Sequence, residues 1–347
     1  MFFRKGRKIA EFLLILTAVM ISSVPAWADD FHYSDKEMMA ATQIAYYTFT
    51  EEQLAAHGGS ATVRELLLET DTKARLEEKY AQKMKESQEE ENSGLEKKMA
   101  EWNLRLYEEI VAEHSPYGNW KVVSVKNHNI QTGFYGVLLD TGGGHGLISF
   151  RGSESTDMNQ VVKDWMSADA GLLMAKDTLQ QKEAATFMEE INERFPYEWY
   201  GVTGHSLGGN LACHAVIAAP DGMRGKIRQA VSFDGPGYSM EYMERNAELI
   251  QKTATPIIHY QWSLVGALLN QPPCVSSRTV QVTEDIRPFQ DLDSNYMRHA
   301  VSFLYLNGEQ VVDSRRDLLS VGMASWSKTV DQKVMEKRRE NAEQAGH

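Results

Sequence analysis

Residues 200–212 read YGVTGHSLGGNLA and hold a Gly-x-Ser-x-Gly pattern at Gly204, Ser206 and Gly208. The apolar run 199–202 leads straight into two glycines that flank a serine. Beyond them Leu211, Ala212, Ala215 and Val216 recur at helical spacing. The stretch therefore predicts a strand, a sharp turn and a helix. A serine on such a turn sits in a strained backbone conformation, with its hydroxyl pushed out above the sheet edge. Only glycine-sized neighbours let the strand and helix approach closely enough. Ser206 is accordingly the candidate nucleophile. The competing reading is a Gly-rich turn with a helix-capping serine; the preceding strand, the further glycine Gly209 and the small-residue helix favour the nucleophile.

On the N-terminal side, strands are predicted at 120–125, 134–139 and 147–150, with a glycine turn at 142–144. Turns this short make sequential strands antiparallel neighbours. After Arg151 a helical stretch reaches Arg194. The strand before Ser206 and its helix follow, then a strand at 229–233, a helix at 240–251, a strand at 256–260 and a last strand at 279–282. Strands alternating with helices predict a mainly parallel sheet. The fold expected is an α/β-hydrolase with antiparallel strands at its start and a charged helical N-terminal extension. In that extension, residues 34–69 read as helical, broken at 57–60, with Ser34 and Glu37 spaced as a capping box. Residues 64–113 are densely charged helix formers interrupted at 92–94 and predict a solvated helical hairpin. The tail from Arg315 reads as a polar amphipathic helix. The segments expected are a signal peptide (1–28), the helical segment (29–116), the catalytic domain (117–312) and the tail (313–347).

Composition narrows the function. The chain has 347 residues, of which 42% are hydrophobic, enough for a buried core, and a net charge of −12. Residues 1–28 carry Arg4, Lys5, Arg7, Lys8 and Glu11, a net +3, so their removal leaves −15. So acidic a surface repels phosphate backbones and excludes nucleic acid as a partner. The basic start, the apolar run 12–24 and the small-x-small site Ala26-Trp27-Ala28 predict a cleaved export signal, a mature start at Asp29 and a secreted or extracytoplasmic protein. Cys213 and Cys274 are the two cysteines, and no disulfide is inferred from them. There is neither His-Glu-x-x-His nor Cys-x-x-Cys, so no metal or cofactor is expected.

A serine nucleophile needs a base and an orienting acid. In the order serine, acid, histidine, the base follows Ser206, leaving His214, His259, His299 and His347. His214 lies two turns into the helix leading away, His259 lies inside an apolar strand, and His347 is terminal. His299, in the loop-rich segment 290–303, is the candidate base. The candidate acid is Asp234, at the end of the strand after the nucleophile's strand, although Asp234-Gly235 also suits a plain turn. Asp291 and Asp293 are the fallback. The oxyanion needs N–H donors; Leu207 supplies one, and Ser153, in the turn Phe150-Arg151-Gly152-Ser153, is the candidate for the second.

Two separated motifs, Phe150-Arg151-Gly152-Ser153 with Asp164-Trp165 and Asp169, and Val202-Thr203-Gly204-His205-Ser206-Leu207-Gly208-Gly209, resemble those of the class 3 (fungal-type triacylglycerol) lipases. The likeness is closer still to their bacterial lipase-like relatives, in which Phe233-Asp234-Gly235-Pro236-Gly237 also has a counterpart. It covers roughly residues 117–305. The resemblance implies ester hydrolysis on a lipid or small acyl ester, transient contact with a lipid surface, Ser153 in the oxyanion hole and a lid over residues 154–173. It also places the acid after the strand 256–260, where this chain has Ser263. Either Asp234 substitutes from the neighbouring strand or the triad lacks its acid. In the second case the chain is a non-catalytic lipase-like protein of the cell envelope whose charged helices dock an unidentified partner.

Overall fold

In a computed structural model of the chain, residues 32–86, 94–152, 179–283 and 298–345 are described. The chain divides into two compact units, Met1–His32 and Tyr33–His347. Of the first, only His32 is among the described residues. The export signal 1–28, the acidic run 89–91, Ser153, the lid 154–173, Asp291, Asp293 and His347 all lie outside them.

The second unit opens with α1 (Asp35–Ala45). Its predicted capping box is present, with Glu37 N donating to Ser34 Oγ at 3.2 Å and Ser34 N to Glu37 Oε2 at 2.7 Å. Two further boxes, Thr50 with Gln53 and Thr62 with Glu65, start α2 (Glu51–Ala56) and α3 (Val63–Leu68). The helical pattern 34–69 is therefore three short helices, with a two-residue strand β1 (Ala61–Thr62) before the third. Helices α4 (Thr72–Glu86) and α5 (Gly94–Val111) form the charged hairpin. Only Thr72 is buried in α4, whereas α5 buries Ala100, Tyr107 and Ile110.

A short α6 (Pro116–Asn119) leads into β2 (Lys121–His128), β3 (Phe134–Gly142) and β4 (His145–Phe150), an antiparallel meander. Next come α7 (Leu179–Arg194), β5 (Trp199–His205), α8 (Leu207–Ile217), α9 (Asp221–Arg224) and β6 (Ile227–Phe233). Helices α10 (Met240–Arg245) and α11 (Ala247–Lys252), strands β7 (Ile257–Gln261) and β8 (Val275–Thr279), a small hairpin of β9 (Leu306–Asn307) and β10 (Gln310–Val311), and α12 (Leu318–Ala345) complete the order. The eight strands β1 to β8 lie side by side in chain order, and every pair from β4 to β8 is parallel. This is the mainly parallel α/β-hydrolase sheet with antiparallel strands at its start.

Period-2 alternation directs the inner strands to two cores. In β3, Tyr135, Val137 and Leu139 pack with Met38, Ile44, Leu66 and Tyr107 of the N-terminal helices. Phe134 and Leu138 pack on the other side with Phe187 of α7 and Leu211 of α8. Residues on both sides of position 116 thus share one core. Both cysteines are free, and burial pushes the Cys213 thiol up to about 12.

Two elements differ most from the sequence reading. The helix expected over 240–251 is divided at Asn246, whose side chain donates to Tyr242 O at 2.9 Å. The last strand of the sheet is β8, four residues earlier than 279–282. As an edge strand it exposes Ser276, Ser277 and Arg278 and so lacks apolar alternation. The alternation at Val280 and Val282 comes instead from packing against the first core, with isolated bridges to Asp313 and Leu304. Among the described residues no helix is long and apolar enough to cross a membrane.

Candidate active site

The site forms at the carboxyl ends of β5, β6 and β7. Ser206 follows β5 with φ 59° and ψ −131°, a left-handed conformation that a side chain tolerates only when surrounding structure enforces it. Close packing is the enforcement. A Cβ at Gly204 would lie 2.2 Å from Gly208 O, and one at Gly208 would lie 2.2 Å from Phe150 O. Ser206 N also donates to Phe233 O at 2.9 Å, tying the turn to the end of β6. Leu207 is the first residue of α8, so its N–H has no acceptor within the helix.

Asp234 follows β6, also left-handed at φ 50°, and is fully buried. Its N–H donates to Tyr260 O at 2.6 Å. Oδ2 lies 2.6 Å from His299 Nδ1. Oδ1 accepts the N–H groups of Trp262 at 2.9 Å and Ser263 at 3.1 Å, and the Ser263 hydroxyl donates to Oδ2. Burial by itself raises the pKa of this carboxyl. The bond and charge of His299, with the Ser263 and Trp262 donors, outweigh it and hold the group down at about 2. Asp234 is therefore an ionised carboxylate beneath a histidine, an arrangement that fixes imidazole orientation.

His299 lies in a turn and is buried. The Ser263 Oγ is 3.3 Å from its Nδ1. The sequence comparison put Ser263 where the lipases carry their acid, and the structure puts it against both Asp234 and His299. Gly266 closes the floor, since a Cβ there would lie 2.2 Å from Asp234 Oδ1. His259 is a core residue, with Nε2 donating to Gly266 O at 2.9 Å, and His214 meets the Tyr242 hydroxyl at 2.7 Å.

Ser153 is outside the described residues, but its neighbour Gly152 is placed. A Cβ on Gly152 would stand 2.6 Å from His205 O and 2.9 Å from Ser206 Cβ. This glycine thus serves a close approach to the elbow and not only a turn. Sequence reasoning passed over three residues that touch this centre. Tyr46 bonds His205 Nδ1 at 2.8 Å, His205 bonds His299 O at 2.7 Å, and Trp262 donates its indole N–H to Arg298 O at 2.8 Å. His205 stands in the quoted motif, and nothing in the sequence near Tyr46 marks it.

Among the described residues, no cluster of histidine, cysteine or carboxylate side chains is arranged to hold a metal.

No curated protein matches the chain. Solved structures similar to it include a triacylglycerol lipase from Penicillium expansum, 14% identical, over 47% of this chain and 71% of that one, with a TM-score of 0.33. M37 lipase is 12% identical over 58% and 83% with a TM-score of 0.37, and Lip2 lipase from Yarrowia lipolytica is 13% identical over 57% and 83% with a TM-score of 0.33. These likenesses are distant, and the fold assignment rests on the sheet order and the elbow. The Mbeg1-like family model matches residues 111–343. With that match over most of its length, the chain belongs to the Mbeg1-like family and has a lipase-like α/β-hydrolase fold.

Proposed function

We propose that this protein is a serine hydrolase that cleaves carboxylic esters of the lipase or esterase type. Ser206 Oγ attacks the ester carbonyl carbon while His299 Nε2 takes the hydroxyl proton. Asp234 holds the imidazole by Nδ1 and stabilises the imidazolium. The carbonyl oxygen becomes an oxyanion, which the Leu207 N–H and Ser153 stabilise. As the tetrahedral intermediate collapses, the carbon–oxygen bond to the leaving alkoxide breaks and His299 returns the proton to it. Water then attacks the acyl-enzyme by the same route, releasing the acid and restoring Ser206.

The observation that carries this reading is the buried 2.6 Å contact between Asp234 Oδ2 and His299 Nδ1, in a chain whose Ser206 follows β5 on a strained elbow. It supplies an acid where Ser263 alone would not. The substrate is a lipid or a small acyl ester, and a lipid surface is a transient partner. Export follows from residues 1–28, with cleavage after Ala28.

Labelling of the purified protein with a fluorophosphonate probe tests the reading, beside Ser206→Ala and His299→Ala. Stoichiometric labelling of the parent, lost in both variants, is expected. No labelling of folded protein, with or without added lipid, would reject the enzyme in favour of a binding protein on a hydrolase fold.

A further inference from the structure

We propose that Tyr46 is a positioning residue for the base, acting through His205 on the main chain of His299. This rests on the reading of Ser206 as nucleophile and His299 as base. Tyr46 caps the C-terminal end of α1, in a part of the chain that precedes the family match. Its hydroxyl lies 2.8 Å from His205 Nδ1, and His205 Nε2 lies 2.7 Å from His299 O. The directions follow from the last acceptor. A carbonyl cannot donate, so His205 Nε2 carries the proton, Nδ1 is left to accept, and Tyr46 donates. Burial first, and the neighbouring His299 second, push the His205 pKa down to about 3, so the ring is neutral and this tautomer persists across the neutral range.

The main chain of the base needs such holding because His299 lies in a turn, outside any strand ladder or helix. Its imidazole is anchored by Asp234. Its own carbonyl is anchored by His205, and the preceding carbonyl, of Arg298, by the Trp262 indole. The rings of His205 and Trp262 stack, with centroids 5.9 Å apart and planes at 11°. His205 is fixed in turn by Tyr46. The helix carrying Tyr46 is seated on β5 by a buried 3.1 Å bond between the hydroxyls of Thr42 and Thr203. The Tyr46 hydroxyl also flanks the nucleophile itself, since the Cβ position of Gly152 is 2.8 Å from that oxygen and 2.9 Å from Ser206 Cβ. The first helix thereby reaches both the elbow and the base.

The test compares Tyr46→Phe, His205→Phe and the double variant with the parent. The readouts are p-nitrophenyl butyrate turnover, the fluorophosphonate labelling rate and thermal melting. Tyr46→Phe is expected to melt cooperatively and to lower kcat about 10- to 100-fold, because small displacements of a reacting group cost that much. KM should stay within about twofold, since no ground-state contact is lost. His205→Phe should lose at least as much, and the double variant should lose no more than His205→Phe alone. Unchanged kcat in Tyr46→Phe, or independent losses that multiply in the double variant, would overturn the proposal. If Tyr46→Phe does not fold, nitrogen-15 NMR of histidine-labelled parent decides, and a proton on His205 Nδ1 overturns it. A parent that neither labels nor turns over rejects the hydrolase reading and this proposal with it. A reactive parent with an unaffected Tyr46→Phe rejects this proposal alone.

Discussion

At the residue scale the centre depends on where charge and donors converge. Asp234, fully buried, accepts two backbone N–H groups, one hydroxyl and one imidazole. Asp234→Asn keeps the volume but removes the charge and presents an amide to Nδ1. In the proposed reaction its turnover on p-nitrophenyl butyrate should fall about 10⁴-fold while the variant still melts cooperatively. Near-parental activity would move the acid to Asp291 or Asp293. Gly266→Ala puts a methyl group 2.2 Å from Asp234 Oδ1, inside contact distance, so it should impair turnover and melting together. His205, near pKa 3, and His259, lowered chiefly by burial, both fold in the neutral form. A depressed histidine contributes stability that is complete above its unfolded pKa of about 6.5 and is lost as pH falls toward the folded value. Melts between about pH 6.5 and 3 should therefore show stability falling by up to roughly 1.4 kcal/mol per pH unit from His205, with His259 adding a loss of the same sign. His205→Phe should flatten part of that slope.

At the element scale the elbow is decided by backbone contact. Gly208 meets Phe150 O across the strand-helix crossing, and a methyl group there must displace backbone. Gly208→Ala should destabilise by roughly 3 kcal/mol in urea unfolding and abolish fluorophosphonate labelling, because the helix can no longer sit on β4. The elbow was legible because its serine and two of its glycines lie within five consecutive residues, 204–208. So was the box at Ser34. The edge strand β8 was not legible, since its side chains are mostly exposed and leave no hydrophobic period to read. The break at Asn246 was equally hidden, because residues 240–251 are all compatible with a single helix, and α10 packs against α12. There Asp331 accepts the Met240 N–H at 2.7 Å, and Arg339 pairs with Glu244 at 2.6 Å.

At the scale of the whole molecule, the N-terminal helices cover one face of the sheet. Met38, Ile44, Leu66 and Tyr107 pack on Tyr135, Val137 and Leu139, which would otherwise face solvent. A chain cut to residues 111–343, the span of the family match, should therefore lack a cooperative melt and aggregate through that bared face. A soluble, cooperatively melting fragment would show that the helices are an appendage. Helix content and melting read by circular dichroism distinguish the two.

What the sequence determined by itself was set by local rules: a serine between glycines, alternation in the inner strands, capping residues at helix starts, and the candidates Ser206, Asp234 and His299. What the tertiary structure decided was which of these meet. It brought Asp234 to His299 across 65 positions and Ser263 to both. It carried Tyr46 to His205 across 159, from a helix with no catalytic signature. Such pairs leave no periodic trace, because hydrogen bonds between distant segments depend on how strand ends align in the sheet, and alignment is fixed only when both faces are packed.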